Sequence, residues 1–115
     1  RAGMSKWLSL SSEEQLEDID QQSREGPGIA IYKHSTRCFV SSMARRRLEQ
    51  HWDELPDGMP VYFVDILSHR AVSRAIAQHY QVRHESPQLL LIRHGQCIRH
   101  VSHEEVDPAA LVEES

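Results

Sequence analysis

Cysteine is scarce in this chain: Cys38 and Cys97 are the only two in 115 residues. Two cysteines so far apart cannot staple a secreted disulfide framework. No apolar run approaches the roughly 18 residues that a membrane span needs. The start is polar and holds no apolar stretch of the kind that opens a secretory signal. The expected setting is therefore a reducing cytoplasm, with no membrane partner. Basic charge is also short, with 13 Lys and Arg against 17 Asp and Glu and a net charge of -4. That balance argues against nucleic acid as a partner. Glycine and proline, five of each, act as local punctuation and form no low-complexity tract. Arg1, Ala2 and Gly3 precede Met4 and read as an expression remnant, which leaves one expected domain over residues 4–115.

What is present is ordered apolar patterning. Ser11 or Ser12 can cap a helix through Glu13 to about Arg24, with Glu14 completing a capping box and Leu16 and Ile19 inward. Trp7, Leu8 and Leu10 are expected to pack beneath that helix. Ile29 to Tyr32 reads as a buried strand. A second helix from about Cys38 carries Val40, Met43, Ala44, Leu48, Trp52 and Leu55 on one face. Pro60 to Ile66 is a second strand, and Ser68 can cap a third helix with Ala71, Val72, Ala75, Ile76 and Tyr80 inward. Pro87 opens a strand at Gln88–Ile92. A turn at His94-Gly95-Gln96 leads to a strand over Cys97–Val101 and so to a hairpin. A last helix is expected over Glu104–Glu113, anchored by Leu111 and Val112, with Pro108 in its first turn. The order α-βαβ-ββα gives an α/β fold. Two strands run parallel through a right-handed crossover, and the hairpin completes a four-stranded mixed sheet with helices on both faces.

Cys38 lies where the first strand hands over to the second helix. Free backbone N–H groups and the positive dipole end at a helix N-terminus favour thiolate over thiol. Arg37 adds a positive charge beside it. Such surroundings lower a thiol's pKa from about 8.5 to about 3.5–7.5. An inert buried cysteine is the competing reading. Ser41 stands where a dithiol oxidoreductase would carry its second cysteine. It cannot close an internal disulfide, but its hydroxyl can donate to the Cys38 thiolate. Pro87 after Ser86 is either strand punctuation or a cis-proline facing the cysteine. Cys97 reads as a strand-filling residue. The spacing Cys97-x-x-His100-x-x-His103 superficially resembles a metal motif, but residues three apart on a strand point to opposite faces, so no metal is expected. His34 is the histidine nearest the proposed site. Arg45-Arg46-Arg47 reads as a solvated helix face, and Trp7 and Trp52 as core.

The run Lys33-His34-Ser35-Thr36-Arg37-Cys38, followed by Val40-Ser41-Ser42, resembles the active segment of the YtxJ-like monothiol bacilliredoxins. The resemblance extends to Trp7, Gln15-Leu16, Ile19, Val64-Asp65 and Glu85-Ser86-Pro87-Gln88, and so covers most of the chain from Met4 on. It implies a thioredoxin-like fold in a bacterial cytoplasm. The implied activity is removal of bacillithiol from protein mixed disulfides, with Cys38 as the nucleophile and Pro87 as the cis-proline. Thr36, Arg37, His34, Ser41 and Ser86 are the residues expected to bind substrate or support the thiolate. Bacillithiol enters as co-substrate, and no cofactor is expected. The expected partners are bacillithiolated client proteins and a low-molecular-weight thiol. Many relatives carry proline after the cysteine, where this chain has Phe39. Two other functions compete: an iron–sulfur cluster held between two subunits, and a non-catalytic thioredoxin-fold adaptor.

Overall fold

The computed structural model describes residues 6–112. The elements are β1 (Trp7–Ser9), α1 (Gln15–Gln22), β2 (Ile29–His34), α2 (Phe39–Gln50), β3 (Val61–Asp65), α3 (Arg70–Tyr80), β4 (Gln88–Arg93), β5 (Gln96–Ser102) and α4 (Ala109–Val112), with short 3-10 turns at Trp52–Glu54 and His103–Glu105. Arg1–Gly3 and the end of the expected last helix lie outside the described residues.

Five strands, one more than expected, form a sheet in the order β1-β3-β2-β4-β5. β1 and β2 run parallel to β3, whereas β4 runs antiparallel to both β2 and β5. The additional strand is Trp7–Ser9. It is only three residues long and pairs Trp7 with Val61, a partner far along the chain that no local pattern discloses. Trp7 consequently packs on the α2 face against Tyr32, Trp52 and Phe63, and not beneath α1. Leu10 does pack beneath α1, while Leu8 is exposed.

β2 is central, and every one of its side chains is buried. Its period-two alternation serves two cores. Ile29 and Ile31 join Leu16 and Ile19 of α1 and Val72 and Ile76 of α3. Ala30 and Tyr32 join Ala44 and Leu48 of α2 and Leu111 of α4. Each fully buried side chain of this size contributes about 1.5–3 kcal/mol.

Helix boundaries moved where side chains took unforeseen partners. α1 begins at Gln15, later than a Ser11 or Ser12 cap would place it. The Gln15 Oε1 accepts from the Ser11 and Ser12 N–H groups at 2.8 and 3.0 Å, so the glutamine replaces the capping box. On α2 the inward residues are Ser41, Ala44 and Leu48, at steps of three and four, and Met43 faces solvent. Ser68 does not cap α3; its hydroxyl donates to Asp65 Oδ2 at 3.3 Å, and Ser73 rather than Ala71 is buried. At the C-terminal end the expected long helix is a 3-10 turn followed by α4. The Asp107 Oδ1 accepts from the Ala109 N–H at 2.9 Å. Val106 and Leu111 are its buried anchors, and Val112 is exposed. Arg45 and Arg47 are fastened rather than free. Arg45 pairs with Glu49 at 3.0 Å and lies over the Phe63 ring, and Arg47 Nε donates to the Val106 carbonyl at 2.9 Å.

Two measurements test this architecture. Gly28 enters β2 at φ +99, and a Cβ there would sit 2.7 Å from the Ile92 carbonyl oxygen. Gly28→Ala should lower the unfolding free energy by about 2–3 kcal/mol in urea titrations. Lys33 is the second case: burial lowers its pKa from 10.5 to about 8. The unfolded chain then holds more protons between those values, so stability rises with pH through that window. Below about pH 8 the cost of the buried ammonium is fully present. The urea midpoint of the native protein should therefore climb relative to Lys33→Met from pH 8 to pH 10. Parallel midpoints would show that Lys33 does not titrate in this way.

Candidate active site

β2 ends at His34, and Ser35–Cys38 forms a tight turn closed by the Cys38 N–H donating to the Ser35 carbonyl at 3.1 Å. Cys38 is then the N-cap of α2, with extended backbone angles and its carbonyl accepting the first helical hydrogen bond from the Ser42 N–H at 3.1 Å. The thiol is partly exposed. Thr36 and Arg37 are exposed on the turn, and Phe39 beside them is 75% exposed.

The Cys38 pKa is lowered below its ordinary value. The Ser41 backbone N–H is the largest cause, with the Ser41 hydroxyl and the Val40 N–H adding to it and slight burial opposing them. These are hydrogen bonds to the charged form, the mechanism that favours ionisation at a helix start. The Arg37 charge is not among the causes, so the turn geometry rather than a salt bridge activates the thiol. The Ser41 hydroxyl is well placed to serve. It is fully buried, and its oxygen accepts from the Ser35 N–H at 3.3 Å, leaving its own proton free to donate.

Sequence reasoning missed a second layer behind Ser41. The Tyr32 hydroxyl donates to the Ser41 carbonyl at 2.8 Å and lies 3.1 Å from His34 Nδ1. One hydroxyl proton cannot serve both, so His34 donates its Nδ1–H to the tyrosine oxygen. His34 is 3% exposed, and burial first, then Arg45, lowers its pKa. It braces the start of α2 through Tyr32 and Ser41 and does not itself reach solvent. The sequence signal was present in the β2 alternation, which puts residues 32 and 34 on the α2 face.

The Ser86–Pro87 peptide bond is cis. Pro87 is buried, and it precedes Gln88, the residue that pairs with Lys33 near the end of β2. The loop therefore lies at the sheet edge from which the Cys38 turn departs. The Ser86 Oγ is buried there with no hydrogen-bond partner among the described residues. Cys97 is elsewhere. It pairs with Ile92, which pairs with Ile29 at the opposite end of β2. Five residue steps along β2 separate that end from His34, roughly 17 Å at the usual rise. Disulfide formation needs Cα atoms within about 7 Å. Burial raises the Cys97 pKa, and its thiol lies 3.3 Å from the Arg99 carbonyl. Among the described residues no three or more His, Cys, Asp or Glu side chains are grouped to hold a metal, so Cys97, His100 and His103 do not converge. No helix among them is long and apolar enough to cross a membrane.

A βαβ unit, a closing hairpin and a cysteine at the start of the helix after the central strand define a thiol-redox protein of thioredoxin fold. Residues 8–111 match the family described as Monothiol bacilliredoxin BrxC, and the chain belongs to that family. Among solved structures it is similar to a candidate oxidoreductase with a thioredoxin fold, at 26% identity and a TM-score of 0.78, covering 91% of this chain and 89% of that one. It is also similar to the thioredoxin of Malassezia sympodialis, at 24% identity and a TM-score of 0.67, with coverages of 97% and 90%. The Fasciola hepatica thioredoxin is 18% identical at a TM-score of 0.68, covering 91% and 92%.

Ser41→Ala removes one of the hydrogen bonds that lower the Cys38 pKa. The pH midpoint of iodoacetamide alkylation at Cys38 should rise, and the neutral-pH rate should fall several-fold with the fold retained. An unchanged midpoint would leave the activation to the backbone N–H groups alone.

Proposed function

We propose that this protein removes bacillithiol from mixed disulfides on client proteins by monothiol exchange at Cys38. The reading is carried by one observation: an accessible, activated thiol at an α2 N-cap with Ser41 in place of a second cysteine and Cys97 at the far end of the sheet. Membership of the bacilliredoxin family supports the choice of small thiol.

The Cys38 thiolate attacks the bacillithiol sulfur of the client's mixed disulfide. That S–S bond breaks as the new one to Cys38 forms. The client sulfur leaves as a thiolate and takes a proton from solvent. Cys38 is left as a one-to-one mixed disulfide with bacillithiol, because no second thiol is within reach to expel it. A further low-molecular-weight thiol frees Cys38 in a second exchange. Arg37, exposed on the turn beside Cys38, is positioned to pair with the malate carboxylates of bacillithiol. Exposed Phe39 offers the client an apolar contact next to the reacting sulfur. Cytoplasmic bacterial clients, bacillithiolated by oxidative stress, are the partners this reading requires.

The experiment is intact-mass analysis of the protein mixed with a bacillithiolated client and, separately, a glutathionylated one. The expected product is a single bacillithiol adduct on Cys38, formed about tenfold faster than the glutathione adduct and slowed by Arg37→Ala. Ser41→Cys should convert that adduct into an internal disulfide and release the small thiol. Equal rates on both clients would reduce the activity to general thiol exchange. Absence of any Cys38 adduct would remove the enzymatic reading.

A further inference from the structure

Lys33 is the anomaly of the central strand. Its side chain is fully buried on the α1 and α3 face. At neutral pH it is still largely protonated, since burial lowers its pKa only to about 8. Among the described residues no carboxylate lies within ion-pair distance of it. A buried charge without a counter-ion is costly. Its hydrogen-bond partner is His84 Nδ1, at 3.1 Å. An ammonium only donates, so Nδ1 accepts and the ring proton sits on Nε2. Across the ladder from Lys33, the buried Gln88 Oε1 has no partner among the described residues.

His84 is also part of a cleft. With Ser73, Arg70 and Arg74 it lines a space of about 350 Å³ whose apolar wall includes Ile66 and Leu67. Among the described residues no aspartate or glutamate lines it, in a chain whose acidic residues outnumber its basic ones by 17 to 13. Arg70 and Arg74 are exposed, one helical turn apart, and neither makes an ion pair among the described residues. Glu85, the carboxylate that acts on His84, is already 3.3 Å from His103 Nε2. Ser73 Oγ lies 3.3 Å from His84 Nδ1, so the imidazole's inner nitrogen is occupied and its outer N–H remains for a ligand.

We propose that this cleft, whose lining does not include Cys38, is an anion site that takes a small organic carboxylate between Arg70, Arg74 and the His84 Nε2–H, with Lys33 supplying positive charge from behind the imidazole. Ammonium, imidazole and carboxylate then form one hydrogen-bonded chain, and the anion provides the counter-charge that the buried lysine lacks. Paired guanidinium groups suit the planar fork of a carboxylate. The apolar wall favours a ligand with a short hydrocarbon body over a bare inorganic ion. Lys33 does not touch the ligand and acts as a positioning residue through His84. The site makes no use of the Cys38 thiol, so it stands or falls apart from the exchange reaction.

The test is an NMR titration of isotope-labelled Cys38→Ser protein with sodium succinate at constant ionic strength, reading backbone amides and the His84 ring. Sodium phosphate is the second arm. Saturable shifts should centre on residues 66–78 and on His84. The double variant Arg70→Gln/Arg74→Gln, altered only on an exposed helix face, should bind succinate about tenfold more weakly. Lys33→Met should weaken binding several-fold while retaining the amide dispersion of a folded protein. The proposal is overturned by shifts that never saturate, by shifts centred on the Cys38 turn or on Arg45–Arg47, or by unchanged affinity in the double variant. Phosphate binding tighter than succinate would overturn the carboxylate assignment.

Discussion

The burial of β2 governs the rest of the molecule. All six of its side chains are shielded, and it is flanked by β3 and β4. Both cores are built on its two faces. Because the strand is held on every side, the point where it ends is held as well. The chain leaves it through a four-residue turn and enters α2 at once, so the position of Cys38 is inherited from the central strand rather than from a mobile loop. An exchange nucleophile gains from this, since its thiolate must meet fixed hydrogen-bond donors to be stabilised without first ordering them.

The same strand carries polar residues where apolar ones would pack more cheaply. Tyr32 and His34 project onto the α2 face and tie its first turn down through the Ser41 carbonyl. Lys33 projects onto the other face and reaches His84, in the connection that leads to Pro87. Buried polar groups of this kind cost stability unless they are satisfied. Here they link the strand beneath the nucleophile to the two segments that frame it. Among the described residues, the buried side-chain atoms without partners, at His69, Ser86 and Gln88, belong to the start of α3 and the Pro87 segment.

Activation of Cys38 shows how neighbouring in sequence differs from acting in space. Arg37 adjoins the cysteine, yet its exposed charge is screened by water. Ser41, three residues further, returns over the thiol because one helical turn brings it there, and its backbone N–H and hydroxyl help to hold the Cys38 pKa down. A dithiol relative would use that position for a second sulfur. In this chain it supplies a hydrogen bond, and the strand length that separates Cys97 from Cys38 leaves the nucleophile without an internal partner.

The sequence by itself determined the central strand, the cysteine at the start of α2, the βαβ crossover and the hairpin, because each is written in local periodicity or in a turn. His94-Gly95, with both residues at positive φ, is such a signal. It did not determine β1, whose three residues acquire strand geometry only by pairing with β3. Nor did it determine the partners of long polar side chains. Gln15 displaced the expected serine cap, His34 turned inward to Tyr32, and Lys33 crossed to His84. Periodicity assigns a side chain to a face of the sheet, but which donor meets which acceptor on that face depends on segments brought together by folding. Tertiary packing therefore decided the hydrogen bonds around the thiol, while the chain's own pattern decided where the thiol would be.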